Sequence, residues 1–245
     1  MSGTAMLIER RRYTLQPGGL PAFWQAQEVR GYDTVRPILD RLIGYFSALS
    51  GAGDEVVHLY RYDSFDDWKQ RLHGLYGVAA LAPYFQSVRA LMTAQENGFL
   101  VPAPVPAASP HWSGTRDWLP SHGTLFELRA DAAPPLVEES TRVLRPGTVP
   151  AYWAAWQAHA QPALEASAGT RLGTFVSLVG QQHEVVTYRV HAHVDAWQAH
   201  HARLAAHEGW QRFLAAIAPL CASSRRQLLR PAPIPQLSPL FGAAR

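Results

Sequence analysis

The sequence predicts an α+β protein in which one βαββαβ unit is written twice. Residues 17–24, Pro-Gly-Gly-Leu-Pro-Ala-Phe-Trp, return as residues 146–153, Pro-Gly-Thr-Val-Pro-Ala-Tyr-Trp, at a spacing of 129 residues. Further segments return at the same spacing: Glu55–Val57 as Glu184–Val186, and Pro102–Pro104 as Pro231–Pro233. A repeat at one fixed spacing is the sequence signature of duplicated structural units. The chain therefore contains a first and a second copy of one unit.

Two helices in each copy are predicted by proline and capping signals. The first helix starts near Pro21 and near Pro150, because proline suits the first turn of a helix. The second helix starts near Ser64, where Asp67 stands three residues on as a capping-box acid. Its partner in the second copy starts at Asp195. A further helical stretch is expected before the end of each copy.

Four strands are also predicted in each copy. The second and third strands lie on either side of a glycine-containing turn, which is typical of a β-hairpin. The last strand is short and ends at the repeated Pro-Ala-Pro. The expected strands cover about 6–15, 42–49, 55–62, 171–178 and 184–191, and the further helical stretches cover about 83–96 and 210–222. The order β-α-β-β-α-β is the ferredoxin-like motif.

The start of the second copy allows two interpretations. Phe126–Arg129 resembles Ile8–Arg11, so we take 124–130 as the first strand and 132–140 as an insertion. The alternative is a strand at 136–144, in register with the first copy. The segment between the copies is rich in proline and tryptophan and is interpreted as an ordered linker. The predicted organisation is a first domain at 1–106, a linker at 107–122 and a second domain at 123–245.

Composition excludes several classes of protein. The chain is 47% hydrophobic and has 8 Trp, which is ample apolar material for packed cores. Its net charge is only +3 and it has no extended basic stripe, so nucleic-acid binding is not expected. The lone Cys221, which we expect in a helix, excludes an internal disulfide, and no apolar run is long enough for a membrane helix. Few residues precede the first strand, so a cytoplasmic protein without a leader is expected.

The sequence resembles the NIPSNAP family, a branch of the dimeric α/β-barrel superfamily. The resemblance rests on Glu9, Arg11 and Tyr13 as Glu-x-Arg-x-Tyr, and on a Leu-x-Pro-Gly turn. It rests above all on Val57–Trp68, Val-His-Leu-Tyr-Arg-Tyr-Asp-Ser-Phe-Asp-Asp-Trp. The resemblance covers nearly the whole chain as two family domains. The second copy has Thr187 in place of the histidine of this stretch, so a site built on it could be active in one half only.

This resemblance implies a fold and a range of activities. Two four-stranded sheets would pack face to face around a small-molecule cavity, so that tandem ferredoxin-like units form a dimeric α/β-barrel-type architecture. Single-unit members look like homodimers, whereas a tandem chain could close one barrel within itself or pair across a homodimer. The superfamily includes cofactor-free monooxygenases, small-ring isomerases, polyketide cyclases, and haem-binding or haem-degrading enzymes. Fold alone does not choose among them.

Alternation along the third strand separates an apolar face from a polar one. In the first copy Val57 and Leu59 share one face, and His58, Tyr60 and Tyr62 share the other. We expect the apolar face to meet the unit's own helices and the polar face to line a cavity, because buried polar groups need partners or a ligand. The predicted catalytic residues are His58, Arg189, Glu9 and Arg11, and the predicted substrate-binding residues are Tyr13, Tyr60, Tyr62, Glu127, Arg129, Thr187 and His191.

Each candidate also has a purely structural interpretation. Glu9 and Arg11 could form an ion pair that only fixes the fold. His58 could be a hydrogen-bonded core histidine instead of a general base. Arg189 on an interior face needs a carboxylate or an anionic ligand, and Glu127 or Glu9 could supply the carboxylate. Four tryptophans are expected to be core residues: Trp24, Trp153, Trp68 and Trp197.

Metal, haem and nucleophile chemistry have less support in the sequence. His191 and His193 are two apart on a strand and could share a face, but no known zinc motif is present, and no metal is predicted. The hypothesis that haem binds through one of these histidines or through His58 depends mainly on the family resemblance. Neither a Gly-x-Ser-x-Gly elbow nor a phosphate-binding loop occurs. Three further histidines are expected to face solvent: His200, His201 and His207.

The leading hypothesis is a cofactor-independent enzyme of small-molecule metabolism that acts on an organic, aromatic or polyketide-like substrate. The reaction would be isomerisation, cyclisation or oxygenation driven by proton transfer, with His58 as general base or acid. Arg189 and Arg11 would hold an anionic oxygen. A second hypothesis is a non-catalytic ligand-binding protein or interaction scaffold, and a third is a haem-binding protein. A small molecule is the expected partner, with no nucleic acid or membrane.

Overall fold

The computed structural model describes residues 6–128, 133–166 and 170–243. Contacts divide the chain into two compact units. Unit 1 combines residues 1–100, 118–132 and 229–245, and unit 2 combines residues 101–117 and 133–228. Each unit is therefore built from segments that are not contiguous in the sequence. The sequence-based division into two domains and a linker follows the repeat and stays a prediction.

The elements of unit 1 follow the predicted βαββαβ order. They are β1 (Leu7–Leu15), α1 (Leu20–Arg30), α2 (Arg36–Leu39), β2 (Leu42–Ala48), β3 (Glu55–Tyr62), α3 (Phe65–Tyr76), α4 (Ala82–Leu91) and β4 (Met92–Pro102). The four strands pair antiparallel in the order β4-β1-β3-β2. Residues 229–231 of the same unit pair with the outer edge of β2. The helices α1, α3 and α4 pack on this sheet and position the site described below.

Capping explains where α3 begins. The Ser64 hydroxyl accepts a hydrogen bond from the backbone N–H of Asp67 at 3.1 Å. The Asp67 carboxylate accepts another from the N–H of Asp63, also at 3.1 Å. These bonds satisfy N–H groups that the start of a helix leaves without partners. The predicted start of this helix is confirmed.

The second copy starts later than the sequence interpretation placed it. A short strand, β5 (Phe126–Leu128), is followed by β6 (Leu136–Leu144), which is the first strand of unit 2. The preferred first strand at 124–130 is therefore wrong, and the alternative at 136–144 is confirmed. Burial explains the outcome, since β6 is buried along most of its length whereas Glu127 in β5 is exposed. The 129-residue spacing also extends back without a gap, from Glu9 to Glu138.

Unit 2 repeats the arrangement of unit 1. Its other elements are α5 (Val149–Ala155), α6 (Gln161–Ala166), β7 (Thr170–Val179), β8 (Glu184–His191), α7 (Val194–Ala206), α8 (Glu208–Ile217) and β9 (Cys221–Pro231), of which the last three residues belong to unit 1. Its strands pair in the order β9-β6-β8-β7. In unit 1 a last short strand, β10 (Phe241–Ala243), pairs in parallel with β5. The predicted fold class of two tandem ferredoxin-like units is confirmed.

Both final strands are longer than predicted. β4 begins at Met92 and β9 begins at Cys221, where the sequence predicted helices to about 96 and 222. The expected place of Cys221 in a helix is therefore wrong. In unit 1, residues 94–100 pair with β1, and this pairing overrides the helix propensity of Ala-Gln-Glu within the segment.

The polar face of the unit 1 sheet packs against the helices of the same unit. Strand pairing places Glu9 beside Tyr60 and Arg11 beside His58, so these four residues share one face. The indole of Trp68 on α3 donates a hydrogen bond to Glu9 at 2.8 Å. The expectation that the apolar face would meet the helices is wrong. The helices supply aromatic side chains with polar tips, which satisfy buried polar groups of the sheet.

Candidate functional site

Two tyrosines from neighbouring strands form the centre of the candidate site. Tyr45 on β2 and Tyr60 on β3 are 5% and 1% exposed, and their hydroxyl oxygens lie 2.7 Å apart. Both line a cleft of ≈ 80 Å³ between the sheet and the helices of unit 1. The Arg11 guanidinium lies over the Tyr60 ring, 4.9 Å from its centroid, and lines the same cleft. A hydrogen-bonded pair of phenols and a cation therefore face one cavity.

Glu9 holds Arg11 in this position. The Glu9 carboxylate lies 2.8 Å from the Arg11 guanidinium. It also accepts hydrogen bonds from the Trp68 indole at 2.8 Å and the Asn97 amide at 2.9 Å. Burial lowers the pKa of Arg11, but the Glu9 carboxylate and nearby tyrosines raise it, and the resulting pKa lies well above its ordinary value. Arg11 therefore keeps its positive charge in the folded protein.

Tyr60 and Tyr13 stay protonated near neutral pH. Burial raises the pKa of Tyr60 well above its ordinary value, and the neighbouring Tyr45 raises it further. Burial also raises the pKa of Tyr13, although Arg11 acts in the opposite direction. A protonated phenol can donate a hydrogen bond to an oxygen that gains negative charge. The cleft is therefore equipped to stabilise an enolate or phenolate oxygen.

His58 contacts the phenols without lining the cleft. Its ring centroid lies 4.2 Å from that of Tyr45 and 4.4 Å from that of Tyr13. Its Nδ1 atom lies 3.4 Å from the Tyr60 hydroxyl, a long contact. Burial lowers the pKa of His58 well below its ordinary value, and the charge of Arg11 lowers it further. His58 is therefore neutral at pH 7, and its contacts with the cleft lining are made through these tyrosines.

The surroundings of His58 do not fit haem ligation. The rings of Tyr13, Tyr45 and Tyr60 surround the imidazole, with centroids 4.2–5.8 Å away. An axial histidine binds iron through a ring nitrogen that points into open space, and the cleft does not reach His58. Within the described residues, no group of three His, Cys, Asp or Glu side chains is placed to hold a metal ion.

Arg30, Gln27 and Tyr84 form a second polar group beside the cleft. Arg30 Nη1 donates to Gln27 Oε1 at 2.8 Å, and the Tyr84 hydroxyl donates to the same oxygen at 3.0 Å. Burial and the nearby Tyr45 raise the pKa of Tyr84 to about 12, against the charge of Arg30. The sequence interpretation missed these residues and Tyr45, because its candidates came only from first and third strands. Pairing of Tyr45 with His58 across the predicted hairpin could have identified Tyr45.

Glu138 organises the equivalent region of unit 2, and the sequence interpretation missed it too. Its carboxylate accepts hydrogen bonds from the Trp197 indole at 2.7 Å and the Ser140 hydroxyl at 2.6 Å, and lies 2.5 Å from His201 Nε2. Arg189 lies 4.0 Å away. Burial raises the pKa of Glu138, but the hydrogen bonds from its histidine and serine partners lower it far below its ordinary value. Side chains of unit 2 therefore satisfy the hydrogen-bonding capacity of the Glu138 carboxylate.

Arg189 has its carboxylate partner in Glu138, and not in Glu127 or Glu9. Burial lowers the pKa of Arg189 to about 10, although Glu138 acts in the opposite direction. Glu127 is exposed, and the predicted site residue Arg129 lies outside the described residues. Arg189 therefore belongs to an internal ion pair of unit 2, with a carboxylate that the sequence interpretation had not named.

The histidines of unit 2 differ from their predicted positions. His191 is buried, 3.6 Å from Glu138, whereas the exposed His193 accepts a hydrogen bond at the start of α7. The two do not share a strand face. His200 is buried and His201 is mostly buried, so the expectation that both face solvent is wrong. His207 is partly buried and accepts a hydrogen bond from the Gly209 N–H at 3.1 Å, so it too departs from that expectation.

The remaining predicted residues are buried but lie away from the cleft lining. The Thr187 hydroxyl lies 3.0 Å from that of Thr174 in unit 2. Tyr62 stacks on Tyr60 in unit 1, with ring centroids 6.1 Å apart. Among the tryptophans, Trp153 is buried and Trp24 partly buried, whereas Trp68 and Trp197 use their indole N–H groups on the buried glutamates described above.

Aromatic side chains fill unit 2 where unit 1 has its second polar group. The repeat aligns Gln27 with Trp156 and Tyr84 with Phe213. Trp156 and Phe213 belong to a buried cluster that also contains Tyr152, Trp153 and Trp210. The polar cleft is thus a feature of the first copy and is not repeated at these positions in the second.

The fold and the repeated sheet define a tandem ferredoxin-like α+β protein. The sequence profile of the NIPSNAP family matches residues 8–106 and 137–236. The chain belongs to the NIPSNAP family. The second match begins within β6, in agreement with the corrected start of the second copy. No helix in the described part of the chain is long and apolar enough to cross a bilayer.

Several solved structures are similar to this chain. A NIPSNAP-like domain protein from Burkholderia xenovorans is 33% identical over 41% of this chain and 88% of its own, with a TM-score of 0.39. A monooxygenase candidate from Lactobacillus acidophilus is 10% identical over 93% of this chain and 94% of its own, with a TM-score of 0.60. Another monooxygenase candidate, from Fusobacterium nucleatum, is 8% identical over 95% of this chain and 94% of its own, with a TM-score of 0.63. The last two share the fold alone, and curated proteins gave no match.

Proposed function

We propose that unit 1 binds a small organic molecule in its cleft and catalyses proton transfer at an enolic or phenolic oxygen without a cofactor. The observation that carries this proposal is the buried pair of Tyr45 and Tyr60, whose hydroxyls lie 2.7 Å apart beside the charged Arg11. One hydroxyl of the pair donates to the other, which leaves one O–H free to donate to a ligand oxygen.

This geometry matches the stabilisation of a developing oxyanion. Donors fixed in a dry site act more strongly than donors in water and need no rearrangement during the reaction. Arg11 is fixed by Glu9, and Tyr60 is fixed by Tyr45 and the ring of Tyr62. Isomerisation, cyclisation and cofactor-free oxygenation all begin with the loss of a proton and the gain of charge on oxygen. The site supports this shared step.

His58 acts in this scheme as a positioning and proton-exchange partner of Tyr60. The Nδ1 atom of its neutral imidazole lies 3.4 Å from the Tyr60 hydroxyl oxygen. In this relay Tyr60 passes its own proton to His58 Nδ1 as it takes one from the ligand, so Tyr60 ends neutral and the proton lost by the ligand ends on the imidazole. Tyr13 borders the same cleft and orients the ligand. In unit 2 we propose a structural role for Arg189, Thr187 and His191, because each has a partner within the protein.

Binding without catalysis is the second candidate function. The cleft lining contains arginine and tyrosine side chains but no carboxylate or histidine among the described residues. A site without a general base in direct reach of the ligand suits a binding protein. Product analysis during ligand screening distinguishes the two functions, since a binding protein would be stabilised by a ligand that it leaves unchanged.

Removing both hydroxyls, by Tyr45→Phe with Tyr60→Phe, is expected to abolish the ligand-induced rise in Tm. A ligand at 100 times its Kd stabilises a protein by about 2.7 kcal/mol, which a thermal-shift screen of phenols, enols and aromatic acids detects. The matched control is Tyr188→Phe, which removes a buried hydroxyl that donates to Glu139 at 2.7 Å in unit 2. The control should keep the full shift. The proposal fails if the double variant folds and responds to the ligand like the wild type.

A further inference from the structure

The cleft of unit 1 has more positive charge than its protein neighbours neutralise. The buried Arg11, the partly buried Arg30 and the exposed Arg89 line it, and among the described residues no carboxylate does. Glu9 pairs with Arg11, but the described residues provide no carboxylate partner for Arg30 or Arg89. A cation drawn from water without a counter-ion raises the free energy of the folded protein unless an anion approaches it. The charge of the cleft therefore suits an anionic ligand.

Arg30 is held rigidly and has one nitrogen free. Its Nε donates to the Gly31 carbonyl at 2.9 Å, and its Nη1 donates to Gln27 at 2.8 Å. The Tyr84 ring packs on the guanidinium, with the ring centroid 4.8 Å away. The remaining nitrogen, Nη2, is buried without a hydrogen-bond partner. Because the side chain is already ordered, an anion that binds Nη2 need not immobilise it.

Aromatic rings form much of the remaining lining. The cleft lining includes Tyr76 and Phe85 in addition to four other tyrosines: Tyr13, Tyr45, Tyr60 and Tyr84. A narrow space between rings favours a flat ligand. The cleft of ≈ 80 Å³ adjoins a groove of ≈ 450 Å³, and the two share Tyr76, Phe85 and Arg89. Because this cleft is smaller than the cavity of roughly 150 Å³ that holds benzene, an aromatic ligand must extend outward toward the groove.

We infer that the ligand of unit 1 is an aromatic carboxylate and that Arg30 selects it. The carboxylate accepts a hydrogen bond from Arg30 Nη2, and an oxygen elsewhere on the ligand accepts one from the pair of Tyr45 and Tyr60. The inference rests on the proposed function, since it specifies the ligand of the same cleft. A single carboxylate fits better than a phosphate dianion, because only one guanidinium nitrogen remains unbonded.

The second copy provides an internal comparison. The residue equivalent to Arg30 is His159, and the residue equivalent to Gln27, which orients Arg30, is Trp156. Trp156 is buried in the aromatic cluster of unit 2. The second copy thus lacks both the guanidinium and the side chain that orients it. One carboxylate per chain is the expected stoichiometry.

Calorimetric titration of the full chain with 4-hydroxycinnamate and with its methyl ester tests the inference. The two compounds differ in the carboxylate charge and keep the same ring and phenol. The wild type should bind the acid at least about tenfold more tightly than the ester, since a hydrogen bond to a charged group contributes about 1.5–3 kcal/mol. Arg30→Gln should remove this preference, because it should weaken binding of the acid more than binding of the ester.

Two further variants make the result interpretable. Arg36→Gln removes an exposed arginine that pairs with Asp33 at 3.1 Å, outside the cleft, and should keep the preference for the acid. Arg30→Lys keeps the charge without the planar guanidinium and should retain part of the preference. Equal binding of acid and ester by the wild type would overturn the inference alone, provided Tyr60→Phe weakens both. Failure of both compounds to bind would count against the proposed function as well.

Discussion

Glu138→Ala is expected to lower the free energy of unfolding by about 3–5 kcal/mol, the usual effect of removing one partner from a buried ion pair. Glu138 is 0% exposed and accepts hydrogen bonds from Trp197 and Ser140. Its removal leaves Arg189 without its carboxylate counter-ion and the Trp197 indole without its acceptor in an interior site. Chemical denaturation followed by circular dichroism measures the change. A loss this large would be a substantial part of the stability of an ordinary domain.

Glu127→Ala is the matched control for this prediction. The sequence alone had placed Glu127 at the equivalent of Glu9, whereas the structure shows it exposed on β5. Exposed substitutions usually change stability by no more than about 0.5 kcal/mol. Comparable destabilisation by the two variants would contradict the assignment of β6 as the first strand of unit 2.

Arg11→Met is expected to reduce kcat/KM about 10²–10³-fold on a substrate identified by the ligand screen. This is the usual effect of removing one fixed group that stabilises an oxyanion. The fall should appear in kcat more than in KM, because the charge that Arg11 faces develops in the transition state. Steady-state kinetics on folded protein measures both constants.

Arg12→Met separates this effect from loss of stability. Arg12 is the next residue of β1, is also buried and pairs with Glu55, but it stands beside Val57 on the opposite face. Both variants remove the arginine partner of a buried glutamate and should be destabilised alike. Only Arg11→Met should lose turnover per folded molecule. Equal turnover in the two variants would remove Arg11 from the mechanism.

The repeat made most of the fold predictable from sequence. Hydrophobic alternation and turns placed β2, β3, β7 and β8 to within a residue or two, because those signals are local. The ends of α4 and α8 were predicted too late, since pairing of β4 with a strand distant in sequence decides that boundary. The start of the second copy was misassigned because short sequence similarity was preferred to the uninterrupted 129-residue spacing.

The candidate site was predicted in part. Sequence alternation identified Glu9, Arg11 and Tyr60 as sharing a buried polar face, and the structure places all three together. It could not show that this face lies under the unit's own helices, because alternation along a strand separates two faces without saying what covers each. Residues contributed by helices, such as Arg30 and Tyr84, were missed for the same reason.

A crystal structure of the complex with 4-hydroxycinnamate, at a concentration that saturates binding in solution, tests the central claim most directly. We expect ligand density between the sheet and the helices of unit 1, with an oxygen atom about 3 Å from the Tyr60 hydroxyl. Ligand density at another place, with the cleft beside Tyr45 and Tyr60 free of ligand, would contradict it.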